Sequence, residues 1–303
     1  MGDPLRFHVL LLPNVGWGEL KARVVHLEAL GVEVAALGDH VADWANPTVP
    51  WLETWTALPA IAEATRTIRL STVVTQIPLR SPVMLARQVL TLDHVSGGRV
   101  ELGLGTGIRN YPSCAMVGVA NWEPSERVAR FGEYVELVGQ LLSRGVTTYR
   151  GVYYRADAAA MPPSLQTPRP PILVAALGPR MMRLTARHAD IWNSLSFLPS
   201  FEDQLVETRR RCLAMDDACA AVGRDPATLR RSYTMFDADA RAKGGALGYY
   251  ESVDRLVEQV ERVVELGVSD IGLYYPLDPR QLPAFERIAA DALPQLRAAH
   301  PSM

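Results

Sequence analysis

An aspartate followed by a histidine, Asp39-His40, closes a short apolar run, with Trp44 four residues further on. Histidine changes charge near neutrality, so an acid–histidine pair where a strand ends can move a proton or orient a neighbour. As structure alone, Asp39 would cap the next segment and His40 would pack under Trp44. The other histidines offer less. His8 lies inside the first apolar run and reads as satisfied core, His26 and His94 sit in helical stretches, His188 precedes a strand, and His300 is in the tail.

Two further constellations could hold an anion or a ring. Gly103, Gly105 and Gly107 alternate at the exit of a strand, where glycine lets another group approach the backbone closely; their structural alternative is tight packing. Gly178-Pro179-Arg180 opens a helix directly after a strand, and a helix N-terminus presents free N–H groups and a positive dipole end to phosphate. Arg180 and Arg183 could add charge there, or lie in solvent. Strand ends also offer Thr72 to Thr75, Thr106 and Arg109, Asn193 and Ser194, and Tyr274 and Tyr275.

Other chemistries lack their signatures. A hydrolytic metal barrel needs His-x-His near its first strand, and only His8 is there, so no metal site is expected. There is no Gly-x-Ser-x-Gly nucleophile elbow and no phosphate-binding Gly-x-x-x-x-Gly-Lys-Ser/Thr. The Gly103 series lacks the third glycine of a dinucleotide fingerprint, because position 108 is Ile108. A borrowed organic cofactor is the remaining route to demanding chemistry.

The elements that must position these residues alternate along the chain. Apolar runs predict strands at 5–12, 32–37, 68–74, 99–104, 172–176, 189–193, 229–235 and 270–274. Helical spacing predicts helices at 18–30, 53–65, from Pro82 to the Ser96-Gly97-Gly98 turn, and at 123–143, 179–187, 201–222, 253–266 and 279–298. Residues 108–121 read as irregular, and 145–171, with prolines crowded from Pro162 onward, as a loop-like insertion between helix four and strand five. Eight strands alternating with eight helices predict an α/β fold, the (β/α)8 TIM barrel, over 1–303 as a single domain.

The composition suits a globular enzyme: 303 residues, 48% hydrophobic and 21% charged, with a net charge of −2 that argues against a nucleic-acid partner. No apolar run reaches bilayer-spanning length and no signal-peptide pattern opens the chain. Three cysteines without a Cys-x-x-Cys point to a reducing, cytoplasmic setting.

At these residues the chain resembles the bacterial luciferase-like superfamily of barrels, which use FMN or the deazaflavin coenzyme F420. The likeness is carried by LGDH at 37–40, RSPVMLARQVLTLDHVSGGRVELGLGTG at 80–107, PPILVAALGPRMMRLTARHADIWN at 170–193 and the insertion before Pro170, the second block being the most specific. It is nearest to the F420-dependent branch, which implies an oxidoreductase passing a hydride between the deazaflavin and a small organic substrate. The resemblance assigns His40, Asp39 and Trp44 to catalysis, with Asp39 also at the cofactor head. It implies a non-prolyl cis peptide at Thr72-Val73 against the ring, phosphate contacts from Thr106, Gly107, Ala176, Leu177, Gly178 and Pro179, and a homodimer through helices two and three. One departure stands out: the nearest dehydrogenases carry a glutamate where this chain has Ile108, so sugar-phosphate oxidation is not implied. A reduced-FMN monooxygenase and a non-catalytic cofactor-binding barrel are the alternatives.

Overall fold

The computed structural model describes residues 3–43 and 46–301. Eight strands close a barrel in the order β1 (Arg6–Leu11), β10 (Asp270–Tyr274), β9 (Arg230–Thr234), β8 (Ile191–Ser194), β7 (Ile172–Ala175), β4 (Val100–Gly105), β3 (Arg69–Gln76) and β2 (Val34–Asp39). The pairings are parallel, as the alternation with helices requires. The crossovers are α1 (Trp17–Ala29), α2 (Thr54–Ala64), α3 (Pro82–Ser96), α5 (Pro124–Ser143), α6 (Pro179–His188), α7 (Phe201–Ala220) and α9 (Val253–Val264). This is the expected (β/α)8 architecture. Among the described residues no helix is long and apolar enough to cross a membrane.

By their contacts the residues fall into two compact units: Met1–Leu11, His26–Ala35 and Ala176–Met303 form the first, and Leu12–Val25 and Ala36–Ala175 the second.

In the second unit, local chemistry sets the element ends. Glu53 caps α2 by accepting from the Trp55 and Thr56 N–H groups. Pro82 starts α3 at its first turn, and Gly97 ends it in the left-handed conformation at φ 67°. β4 is buried along its whole length, and its one charge, Glu101, pairs with Arg69 at 2.5 Å. Between Ser71 and Thr75, β3 carries one residue more than the facing stretch of β4. That bulge explains two of the glycines. A Cβ on Gly103 would stand 1.7 Å from the Thr72 carbonyl oxygen, and one on Gly105 would stand 2.5 Å from Val74 Cγ2. Both are therefore packing glycines.

Two segments read as irregular contain structure. Residues 112–116 form a short helix, α4 (Pro112–Met116). The insertion contains an antiparallel hairpin, β5 (Val146–Arg150) and β6 (Arg155–Ala160), rather than loop alone. Its tip is tied to α5, because the Glu133 carboxylate accepts from the Val152, Tyr153 and Tyr154 N–H groups at 2.8–3.1 Å. The crowded prolines lie after the hairpin, so they described only the second half of the insertion.

In the first unit, β10 has the expected bounds. A short helix, α8 (Ala238–Lys243), ends at Gly244, the first of three glycines that include Gly245 and Gly248. The expected last helix is interrupted: a 3-10 turn at Pro279–Gln281, α10 (Leu282–Arg287), a π-helical turn at Ile288–Ala292, then α11 (Leu293–Ala299). Pro294 has no N–H to give and its ring crowds the preceding turn, which opens the helix there.

Candidate active site

In the second unit, β2 ends by delivering Asp39 and His40 side by side. Asp39 is 2% exposed. Both of its oxygens accept from Arg80, Nε to Oδ2 and Nη2 to Oδ1, at 2.7 Å each. Arg80 also pairs with Glu53. Burial works against the Arg80 charge, but Asp39 and Glu53 outweigh it and hold the guanidinium above its usual pKa. Burial likewise opposes ionisation of Glu53, and the Thr56 and Arg80 donors overcome it, so its pKa falls below the ordinary value.

His40 is half-buried. Its ring stands edge-on to Trp51, centroids 5.3 Å apart, and is tilted against Tyr111 at 5.3 Å. Gln76 Nε2 lies 2.7 Å from His40 Nδ1 and 3.2 Å from the Asp39 carbonyl oxygen. The surroundings are pinned in turn. Trp51 Nε1 and Thr54 Oγ1 donate to the Gly38 carbonyl, Tyr111 Oη donates to the Ala42 carbonyl, and Ser113 Oγ accepts from the Val41 and Ala42 N–H groups. Trp44 lies outside the described residues.

Gln76 also links this pair to the exit of β4. Gly107 has φ +74°, and a Cβ there would meet Gln76 Oε1 at 3.1 Å, Arg127 Nη1 at 3.2 Å and Pro78 Cγ at 3.2 Å. Its backbone shape and surroundings both call for glycine. Thr106 donates to the Gly107 carbonyl at 3.1 Å, and its own carbonyl accepts from Arg127 Nη1 at 3.0 Å. Gln76 Oε1 is buried and has no hydrogen-bond partner among the described residues. Ile108 is 53% exposed, and Arg109 pairs with Glu123 at 3.0 Å.

Thr72 is placed differently from its neighbours in this cluster. Its hydroxyl donates to the Gly103 carbonyl at 2.9 Å and accepts from Gly103 N–H at 3.1 Å and Thr75 Oγ1 at 3.2 Å. It locks β3 to β4 from inside the sheet. The non-prolyl cis bond also falls one position later than expected, at Val73-Val74 instead of Thr72-Val73. The cis bond lies within the Ser71–Thr75 stretch where β3 bulges against β4.

In the first unit, Ala176 N–H donates to the Asn193 carbonyl at 3.1 Å, and the Ala176 carbonyl accepts from Trp192 Nε1 at 2.8 Å. Leu177 is exposed. Gly178 is the cap residue of α6, with Pro179 in its first turn, no capping side-chain hydrogen bond, and open space where a Cβ would stand. Arg180 and Arg183 are exposed. Ser194 Oγ, at the end of β8, is buried without a hydrogen-bond partner among the described residues. Asn193 is committed to the sheet, donating to Ser232 Oγ and Thr234 Oγ1. Tyr274 and Tyr275 are buried.

His8, expected as satisfied core, is buried but only half satisfied. Nδ1 stands 2.8 Å from Asp270 Oδ1, whereas Nε2 has no hydrogen-bond partner among the described residues and fills the space a Cβ on Gly272 would take. Asp270 also accepts from Arg6 Nε at 3.0 Å and Nη2 at 2.7 Å. Burial alone would raise its pKa, but Arg6 and His8 hold it below the ordinary carboxylate value.

Sequence reasoning missed Gln76, Arg80 and Tyr111. Gln76 lay two residues beyond the predicted end of β3. Arg80 gave only a composition cue, a cation between a strand and a proline-opened helix.

Residues 5–238 match the luciferase-like monooxygenase family. The F420-dependent hydroxymycolic acid dehydrogenase of Mycobacterium tuberculosis is 29% identical over 218 residues, covering 72% of this chain and 58% of that protein. The F420-dependent glucose-6-phosphate dehydrogenase of Intrasporangium calvum is 29% identical over 321 residues, covering 92% of this chain and 95% of that one. This chain thus spans under two thirds of the first relative and nearly all of the second. Among solved structures, the coenzyme F420 dependent tetrahydromethanopterin reductase from Methanopyrus kandleri superposes with a TM-score of 0.77 at 18% identity, over 97% of this chain and 100% of that chain. At that identity the likeness is one of fold.

Proposed function

The chain belongs to the luciferase-like monooxygenase family, and from that membership we propose that it is an oxidoreductase dependent on coenzyme F420, acting on a small organic substrate. The observation that carries this reading is His40: a half-buried imidazole at the end of β2, beside a buried acid, held on one nitrogen by Gln76 and flanked by two aromatic rings. The F420-dependent relatives favour the deazaflavin over FMN.

The residues present suit such a cofactor. In the second unit Gln76 Oε1 is a buried acceptor without a hydrogen-bond partner among the described residues, and such an atom costs about 1–3 kcal/mol unless something pairs with it. In the second unit, Asp39 and Val73 would meet the cofactor head, and Thr106 and Gly107 would lie on its phosphate side; Thr72 would support the β3 bulge rather than offer its hydroxyl. In the first unit, Ala176, Leu177, Gly178 and Pro179 would present the N-terminus of α6 to phosphate. When bound, the deazaflavin supplies hydride chemistry at C5. His40 would contact the reacting group, Asp39 would hold Arg80 in place, and Trp44 would share in catalysis.

The reading treats residues 1–303 as one domain and includes a homodimer and a cytoplasmic location, the latter in keeping with the free thiols of Cys114, Cys212 and Cys219. Sedimentation as a monomer at micromolar concentration would contradict the dimer. The cofactor is tested by titrating the apo-protein with F420 and with FMN. Saturable quenching of F420 fluorescence is expected; tight FMN binding with no affinity for F420 overturns the reading in favour of a reduced-FMN monooxygenase.

A further inference from the structure

Gln76 is a buried amide with two hydrogens and two acceptors in front of them. Its Nε2 lies 3.2 Å from the Asp39 carbonyl oxygen and 2.7 Å from His40 Nδ1. A carbonyl oxygen only accepts, so the amide must turn its NH2 group that way; reversed, Oε1 would face a second oxygen. With the NH2 group so oriented, His40 Nδ1 can only be the nitrogen that carries the lone pair. The proton of the neutral ring then sits on Nε2. A charged ring would set an Nδ1 proton against a Gln76 proton across 2.7 Å.

We propose that Gln76 is a positioning residue that holds His40 neutral with its proton on Nε2, so that His40 acts as a hydrogen-bond donor, and not as a base, toward a substrate carbonyl or the alkoxide related to it. This rests on the oxidoreductase reading above. A base that removes the proton of an alcohol needs an available lone pair, and the lone pair on Nδ1 is engaged by Gln76. A neutral Nε2–H suits a donor's task, polarising a carbonyl oxygen and stabilising the negative charge on the related alkoxide in either direction. In the reducing direction the balance would be a hydride supplied by the reduced cofactor to the carbonyl carbon, with the π pair going to oxygen and a proton coming from water. The substrate gains two electrons and the cofactor loses them.

The test is 15N NMR of histidine-labelled protein, free of cofactor, with the His40 signals assigned by their loss in His40→Gln. At pH 7 the wild type is expected to show a protonated Nε2 and an unprotonated Nδ1. Gln76→Glu is expected to move the proton to Nδ1 or charge the ring, and Gln76→Met to give both neutral forms. A wild-type His40 protonated at Nδ1 overturns the proposal and makes Nε2 the lone-pair nitrogen, a base and not a donor. An unchanged Nε2–H pattern in a folded Gln76→Glu protein overturns the role of Gln76. The wild-type spectrum decides even if both variants fail to fold. F420 fluorescence on the same samples separates the two readings: failure to bind F420 sinks the oxidoreductase assignment and leaves the tautomer standing.

Discussion

Arg80 and Asp39 meet as a fork on a fork, Nε and Nη2 each 2.7 Å from a different carboxylate oxygen. Asp39 is buried, while the Arg80 side chain keeps 16% exposure and a second partner in Glu53. Asp39→Ala therefore strands a cation that is not wholly without compensation. We expect a loss of about 2–3 kcal/mol, at the lower edge of what breaking a buried pair costs. The shift of the urea midpoint at constant slope measures it.

His40→Ala removes the proposed donor to the reacting oxygen. With a ketone reduced by the wild type and reduced F420, kcat should fall by about 10²–10³-fold, the loss typical of one donor to a developing oxyanion. F420 affinity, read by fluorescence, should change little. A loss confined to KM would show that His40 only binds.

Gly103→Ala should be among the most damaging single-methyl changes in the chain, because the new Cβ would lie 1.7 Å from the Thr72 carbonyl oxygen, an atom of the sheet backbone. The expected cost exceeds about 3 kcal/mol, at or beyond the top of the usual overpacking range. Gly178→Ala, where no described atom lies within 4 Å of the new Cβ, should melt close to the wild type. Parallel thermal melts compare them.

Asp270→Ala leaves Arg6 and His8 facing a vacated buried site, at an expected cost of about 3–5 kcal/mol. The wild type should show the same linkage with acid. The native carboxyl titrates below its ordinary value near 3.8, so its stabilisation is complete above that pH and is lost as pH falls below it. The acid limb of the unfolding free energy should flatten in the variant.

Burial pushes the Tyr233 hydroxyl up to about 12, from an ordinary value of 10.0. The native state therefore holds this proton longer than the unfolded chain. Its contribution is present below pH 10 and is lost as pH rises through 12, a change of about 2–3 kcal/mol. Tyr233→Phe should shallow the alkaline fall in stability over that interval, and phenolate absorbance in the wild type should show a late-ionising tyrosine.

Much of the fold is legible in the sequence. β10 has its predicted bounds because its apolar run is closed on both sides by chain-breaking signals, and α3 stops at Gly97 because a left-handed residue is needed there. The hairpin at 146–160 was not legible. Its strands are largely exposed, so they lack the apolar pattern that marks a buried strand, and their tip depends on Glu133 in the preceding helix. The glycines of β4 illustrate the divide within one motif. Their spacing suggested a common role, yet Gly103 and Gly105 yield to the β3 bulge while Gly107 is needed for its backbone angle and for the crowding of Gln76 and Arg127.

By itself the sequence determined the alternation of eight strands and helices, and it placed Asp39 and His40 where a strand ends, because hydrophobic period, glycine stops and proline starts act over a few residues. Only the tertiary structure decided what those two residues do. Gln76 is 36 positions from His40 and Arg80 is 41 from Asp39, and a hydrogen bond across that separation leaves no periodic trace in the chain. The charge on Asp39 is neutralised by an arginine from the turn after β3, and the lone pair of His40 is claimed by an amide from the last residue of that strand. Those contacts exist only because β2 and β3 lie side by side in the closed sheet.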